Sequence, residues 1–165
     1  MSTSSSSKHT VHKAPLKAEI TKPSVILYGS IDKNNWHSAL SASLAHLPIT
    51  VLDPRRDDWD SSWIEDVSFP KFKEQVEWEM DHAQVADVIV FYFAPGTLAP
   101  IALLELGMYA ATGKVVVCCP KDFYKRGNVH MVCDRYGIQL IETMEELQEH
   151  VREKLGEKLR TIESS

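Results

Sequence analysis

VIVFYFAPGTLAPIALLELGMYAAT, residues 88–112, decides how this chain is read. Between Asp87 and Lys114 one formal charge, Glu105, stands in apolar sequence. An isolated carboxylate is expensive to bury, so this one has to be paired, protonated or used. Val88 to Phe93 is a run of β-branched and aromatic residues, which predicts a strand covered on both faces. Ala94-Pro95-Gly96-Thr97 is turn chemistry. Pro100 suits the first turn of a helix running to about Thr112, Gly113 its C′ position, and Lys114 its C-terminal end. A strand, a loop and a helix bearing one carboxylate place a binding crevice at the strand's carboxyl end. As a membrane span the stretch is interrupted by Pro95, Gly96, Pro100 and Glu105 and has no basic flank. A rim glutamate, or one partnered to an arginine, is the plainer alternative to a functional Glu105.

Upstream, Ser24-Val-Ile-Leu-Tyr28 predicts the first strand, ending at Gly29-Ser30. A glycine there lets a ligand approach the backbone. No GxGxxG or GxxxxGK[ST] follows, so neither a dinucleotide site nor a P-loop is supported. Trp36, Leu40, Leu44 and Leu47 mark the apolar face of a helix over 35–47. Residues 49–52 predict the second strand, which runs into Asp53-Pro54-Arg55-Arg56. Residues 57–70, with Trp59, Trp63 and Phe69, predict a long loop, either a lid or a satellite hydrophobic cluster. A helix over 71–84 follows, with Phe72, Val76, Met80 and Ala83 as its buried stripe and Gln75, Glu79 and His82 as the adjacent row. Glu79-x-x-His82 fits the di-iron bundle pattern only with a second copy and two further glutamates, which are not evident. No HExxH occurs, so no metal and no cofactor is expected.

Downstream, residues 115–119 predict a fourth strand, 120–137 a mixed loop and 138–141 a short fifth strand. Thr143-x-x-Glu146 is a capping box opening a last helix to about Arg160, with Leu147, Val151, Leu155 and Leu159 as its seam. Strands alternating with helices predict an α/β fold: a doubly wound, flavodoxin-like, five-stranded parallel sheet in the order 2-1-3-4-5, with helices on both faces. Residues 1–22, rich in Ser, Thr and Lys, predict a disordered tail, and 23–162 a single domain.

The net charge of −5 argues against nucleic acid as the main partner. Cys118, Cys119 and Cys133 lack CxxC spacing and read as thiols of a reducing compartment. With no apolar leader segment, a cytoplasmic protein without a membrane partner is expected.

In such a sheet the loops after the first three strands converge on one crevice. That collects Gly29, Ser30, Asp53, Arg55, Arg56 and the approach to Glu105, with Glu79 from the preceding helix. Trp36, at the start of the first helix, joins Gly29, Ser30, Asp53 and Arg55 as a candidate substrate-binding residue. Two carboxylates facing one pocket suit glycosyl transfer, in which one attacks or stabilises the sugar carbon and the other moves a proton. Burial favours the acid role, while a nucleophile has to be held ionised by donors. The residues alone leave that assignment open.

Leu27-Tyr28-Gly29-Ser30-Ile31, Trp78-Glu79, Ala86-Asp87-Val88-Ile89-Val90 and Leu104-Glu105-Leu106-Gly107-Met108-Tyr109-Ala110, with Gly113-Lys114-Val115-Val116, carry a resemblance. The chain resembles the nucleoside 2-deoxyribosyltransferase family and its nucleotide N-glycosidase relatives. The resemblance implies that Glu105 is the nucleophile of a covalent glycosyl-enzyme and that Glu79, eight positions before Asp87, moves the proton at the base. It also implies a homo-oligomer in which an asparagine, here Asn128, reaches the nucleophile of a neighbouring subunit. The substrate would be a small nucleoside or nucleotide, with Arg55 and Arg56 favouring a 5′-phosphate if they point inward. The family's polar residue ahead of the catalytic helix is missing from Leu98-Ala99-Pro100-Ile101-Ala102. A non-catalytic nucleotide-binding module is therefore the alternative, and a flavin-binding partner lacks a phosphate loop.

Overall fold

The apolar run at 88–92 lies inside a wholly parallel sheet in this computed structural model, which describes residues 8–17, 19–21 and 23–165. The strands are β1 (Thr10–Lys13), β2 (Ser24–Gly29), β3 (Thr50–Asp53), β4 (Val88–Tyr92), β5 (Val115–Cys118) and β6 (Leu140–Ile141). Their order is β1-β3-β2-β4-β5-β6. The helices are α1 (Trp36–Ser43), α2 (Pro70–Val85), α3 (Pro100–Tyr109), α4 (Arg126–Tyr136) and α5 (Met144–Glu163), with a 3-10 turn (Ala110–Thr112) after α3.

Alternation along the strands decides which helix covers which face. Ile26, Tyr28, Ile89, Phe91 and Val117 turn to one side, where Trp78 and Ala83 of α2, Ala102 and Leu106 of α3, and Val129 and Cys133 of α4 pack on them. Val25, Leu27, Val88, Val90 and Val116 turn to the other side, under Trp36 and Leu40 of α1 and Leu147, Val151 and Leu155 of α5. Both faces are thus buried, as continuous β-branched runs require. The expected 2-1-3-4-5 order is present as β3-β2-β4-β5-β6, with β1 added at the free edge of β3. The sheet differs in having six strands rather than five.

The extra strand falls in the stretch expected to be a disordered tail. Residues 1–7 lie outside the described residues, but Thr10–Lys13 pairs in parallel with Thr50–Asp53 along its full length. An edge strand needs main-chain partners more than apolar side chains, so a polar composition did not announce it. Ala14 then enters the core at 5 % exposure, and the Leu16 carbonyl accepts a 2.8 Å hydrogen bond from Trp78 Nε1.

Two further readings are corrected. The mixed loop expected at 120–137 contains α4, whose buried Val129 and Cys133 are one turn apart and which Gly137 closes at φ 67°. The buried stripe of α2 is Gln75, Trp78, His82 and Ala83, not Phe72, Val76 and Met80. The bulk of Trp78 sets that rotation, and hydrogen bonds make burial of the polar row affordable. The loop ahead of α2 is a satellite cluster: Trp59 and Trp63 have ring centroids 4.9 Å apart, and the Arg56 and Lys71 cations lie 5.0 and 5.3 Å from the Trp63 ring.

Candidate functional site

Tyr28, near the carboxyl end of β2, points between α2 and α3. Its hydroxyl donates to the Glu79 main-chain carbonyl at 2.6 Å. Its ring lies 5.5 Å from Phe91 and is stacked 6.0 Å from Tyr109. Burial, and then the Glu105 charge, raise the Tyr28 phenol well above its usual range, so it is a fixed donor.

Glu79 on α2 and Glu105 on α3 are both half-buried, and their carboxyls lie within hydrogen-bonding reach of each other. Burial is the largest influence on each and favours the protonated form. The neighbouring Glu79 charge adds to that at Glu105, which is pushed up to about 8. A pair this close holds one proton between two oxygens more readily than two charges, so the pair titrates as a unit. Gln75, one helical turn before Glu79, donates from Nε2 to Glu79 Oε1 at 2.9 Å and to the Pro54 carbonyl at 2.7 Å. Tyr109, one turn after Glu105, is raised by burial and then by the Glu105 charge, and its hydroxyl is within reach of Tyr28. Carboxyls on neighbouring helices, with two tyrosines beside them, offer one proton donor and one carboxylate side by side.

Ser30 organises the loop ahead of α3. Its amide donates to the Tyr92 carbonyl at 2.8 Å, its Oγ accepts from the Ala94 amide at 2.8 Å, and that Oγ is 2.6 Å from Thr97 Oγ1. The β2 exit is thereby tied to the loop leading into α3. Just before α3, Ala99 stands at φ 46°, an uncommon conformation for a non-glycine residue. Gly29 is required by the sheet itself: a Cβ there would come within 2.1 Å of the Tyr92 carbonyl oxygen. The close approach expected of a ligand is made by backbone.

The remaining candidates lie apart from the carboxyl pair. Trp36, the first residue of α1, is buried, its Nε1 donating to the Ser30 carbonyl at 2.7 Å. Asp53 is buried and clamps Arg55, which donates from Nε at 3.0 Å and from Nη2 at 2.6 Å, and whose amide donates at 3.0 Å. Burial alone would raise Asp53, but the hydrogen bonds and charge of Arg55 outweigh it and hold the carboxyl below its usual range. Arg55 reaches on to Asn35 Oδ1 and, at 3.4 Å, to Ser38 Oγ, so it faces α1 and not the α2–α3 crevice. Arg56 is committed to Asp58 and Glu74, each at 2.8 Å. Asn128 is exposed on α4. Sequence reasoning missed Gln75, Tyr109 and Thr97 as members of the site. Spacing held a signal for the first two, since each stands four residues from a candidate glutamate.

Among the described residues no group of three His, Cys, Asp or Glu side chains is placed to hold a metal ion, and no helix is long and apolar enough to cross a membrane. Cavities of about 290 and 310 Å³, which share Ile20 and Val85 in their linings, are lined by neither glutamate. No protein of curated function matches the chain. A family model described as nucleoside 2-deoxyribosyltransferase like matches residues 22–123, a span that holds both glutamates, Tyr28, Gln75 and the Ser30–Thr97 tie. By that match over more than half its length, the chain belongs to the nucleoside 2-deoxyribosyltransferase-like family.

Proposed function

We propose that this protein cleaves or transfers the N-glycosidic bond of a nucleoside or nucleotide. Glu105 attacks the anomeric carbon and carries the glycosyl group, and Glu79 gives its proton to the departing base. In the second half Glu79 takes a proton from the acceptor, a base or a water, as the glycosyl–Glu105 bond breaks. The observation behind this reading is the facing pair of carboxyls on α2 and α3. The pair holds one proton, drawn at rest toward Glu105; its passage to Glu79 leaves the ionised nucleophile and the acid that a two-step glycosyl transfer needs. Tyr28 and Gln75 hold Glu79, while Ser30 and Gly29 set the loop against which the sugar is placed. Trp36, Asp53 and Arg55 support that loop from the α1 side.

A homo-oligomer is part of the proposal. Ile101, Leu104 and Met108 leave an apolar strip on the outside of α3, continued by Leu98 just before it, and Met80 on α2 is exposed as well. Such a strip beside a crevice suits a second copy, whose exposed Asn128 would be available to Glu105.

The test is a panel of deoxynucleosides, ribonucleosides and their 5′-monophosphates, with and without a second base, followed by free-base release. Release or exchange that disappears in Glu105→Ala is expected. Binding without turnover on every substrate would replace this reading with a non-catalytic nucleotide-binding module, which the apolar Ala99-Pro100-Ile101-Ala102 segment ahead of Glu105 favours.

A further inference from the structure

Gln75 is 7 % exposed, and its Oε1 finds no hydrogen-bond partner among the described residues. Buried carbonyl oxygens of this kind are rare in folded proteins and call for an explanation. The orientation of the amide is not arbitrary. Nε2 spends its hydrogens on Pro54 O at 2.7 Å and Glu79 Oε1 at 2.9 Å. Flipping the amide would set Oε1 against the Pro54 carbonyl, oxygen to oxygen, and leave that carbonyl without its donor. The backbone therefore fixes Gln75 with an acceptor to spare, on the amide that holds Glu79.

Resting on the N-glycosidic reading of the Glu79–Glu105 pair, we infer that Gln75 selects the base: it favours one with an exocyclic amine beside an acceptor ring nitrogen. Glu79 addresses the ring nitrogen as donor. Gln75 Oε1, on the amide bonded to Glu79, accepts from the neighbouring N–H. Together they present a donor and then an acceptor, the complement of an amidine edge. Adenine has that edge at N7 and the 6-amino group, and cytosine at N3 and the 4-amino group. Guanine and hypoxanthine place O6 beside N7, two acceptors in a row. A 6-oxo base would oppose its lone pairs to Oε1, and Gln75 cannot turn to help without losing Pro54. The preference has a fixed sign, amino over oxo, because a main-chain carbonyl holds the amide.

The plainer role for Gln75 is structural, tying α2 to the exit of β3, with a buried water on Oε1. The two roles separate in a ligand series. Adenine, unsubstituted purine and hypoxanthine differ at one ring position, as amine, hydrogen and oxygen. Their dissociation constants for the full-length protein are measured by calorimetry, alongside the relative kcat/KM of deoxyadenosine and deoxyinosine. The same set is repeated on Gln75→Met, which keeps the volume and removes both polar groups, with a thermal melt to confirm folding.

Affinity falling in the order amine, hydrogen, oxygen is expected, with roughly a ten- to hundredfold gap between the ends. In Gln75→Met that gap closes to within about threefold. Hypoxanthine binding as well as adenine in the native protein overturns the inference, as does a gap that persists in a folded Gln75→Met. Binding of none of the three bases also overturns it. If Gln75→Met does not fold, the series on the native protein decides alone. The outcomes for the two readings are distinct. Base release without the ranking sinks base selection by Gln75 and leaves the glycosidase or transferase standing. The ranking without base release sinks the catalytic reading and leaves a binding module that selects amino bases.

Discussion

The hydroxyl of Tyr28 and the main-chain carbonyl of Glu79 are joined by a 2.6 Å hydrogen bond that ties the end of β2 to the middle of α2. The bond is made to the backbone, so it fixes where the Glu79 side chain starts without competing for its carboxyl oxygens. Tyr28→Phe keeps the ring stacked on Tyr109 and removes the hydroxyl that donates to Glu79 and that Tyr109 reaches. A loss of about 1 kcal/mol in chemical denaturation is expected. Base release should slow roughly tenfold through imprecise placement of the acid. An unaltered rate in a variant destabilised by that amount would show that the hydroxyl serves the fold alone.

The carboxyl pair makes the protein sensitive to alkali. Burial raises both carboxyls in the folded state, so folding takes up a proton that the unfolded chain has lost at neutral pH. The stability from that proton is fully present at pH values below those of ordinary carboxyls. It is lost as pH rises through the raised values, up to about 8 for Glu105. Glu105→Gln carries no charge to bury and should exceed the native protein by about 1–2 kcal/mol at alkaline pH. Paired melts at pH 6 and 9 check this; an advantage confined to pH 6 would reverse the assignment.

His37 works in the opposite direction. Burial, followed by the Arg55 charge, lowers its imidazole from 6.5 to about 4, with Asp53 opposing. The folded protein therefore holds a neutral ring that the unfolded chain protonates more easily. Its contribution is fully present above pH 6.5 and is lost as pH falls toward about 4. His37→Phe should flatten the stability profile between those limits by roughly 2–3 kcal/mol, read from urea midpoints across the range. A slope unchanged by the substitution would place the acid sensitivity elsewhere.

Gly29→Ala is the severest single change expected. At φ 136° a side chain is already strained, and the added carbon would press into the Tyr92 backbone. A loss above about 3 kcal/mol, or failure to fold, is the expected result in expression and melting trials. A variant that folds with native stability would mean that β2 and β4 can separate there at little cost.

How far the sequence revealed all this depends on what each residue had to announce. The buried runs at 25–28, 88–92 and 115–118 told their own story, because strands covered on both faces are apolar whichever way they point. Glu105 stood out for the same reason, as the lone charge in an apolar stretch. Thr10–Lys13 did not, since its pairing is made by main-chain groups that every residue carries. The register of α2 was hidden by Trp78, one side chain whose volume outweighed a stripe of smaller apolar residues. Gln75 was visible as a neighbour of Glu79 on the helix, but not as a member of the site. Its role depends on Pro54, which lies twenty-one residues earlier in the chain.

The parallel pairing of β1 with β3 has a consequence for the order in which the molecule assembles. β1 is made before β2 and α1, yet its partner Thr50–Asp53 leaves the ribosome only after both. Until then the amino-terminal strand waits unpaired, and the edge of β3 is covered only when the two ends of that long loop meet. Non-local pairings of this kind form late because chain entropy must be lost before any bond is gained. β1, synthesised before the strands beside it, is thus among the last to be placed. Its arrival, bringing Leu16 to Trp78, anchors α2 one residue away from Glu79.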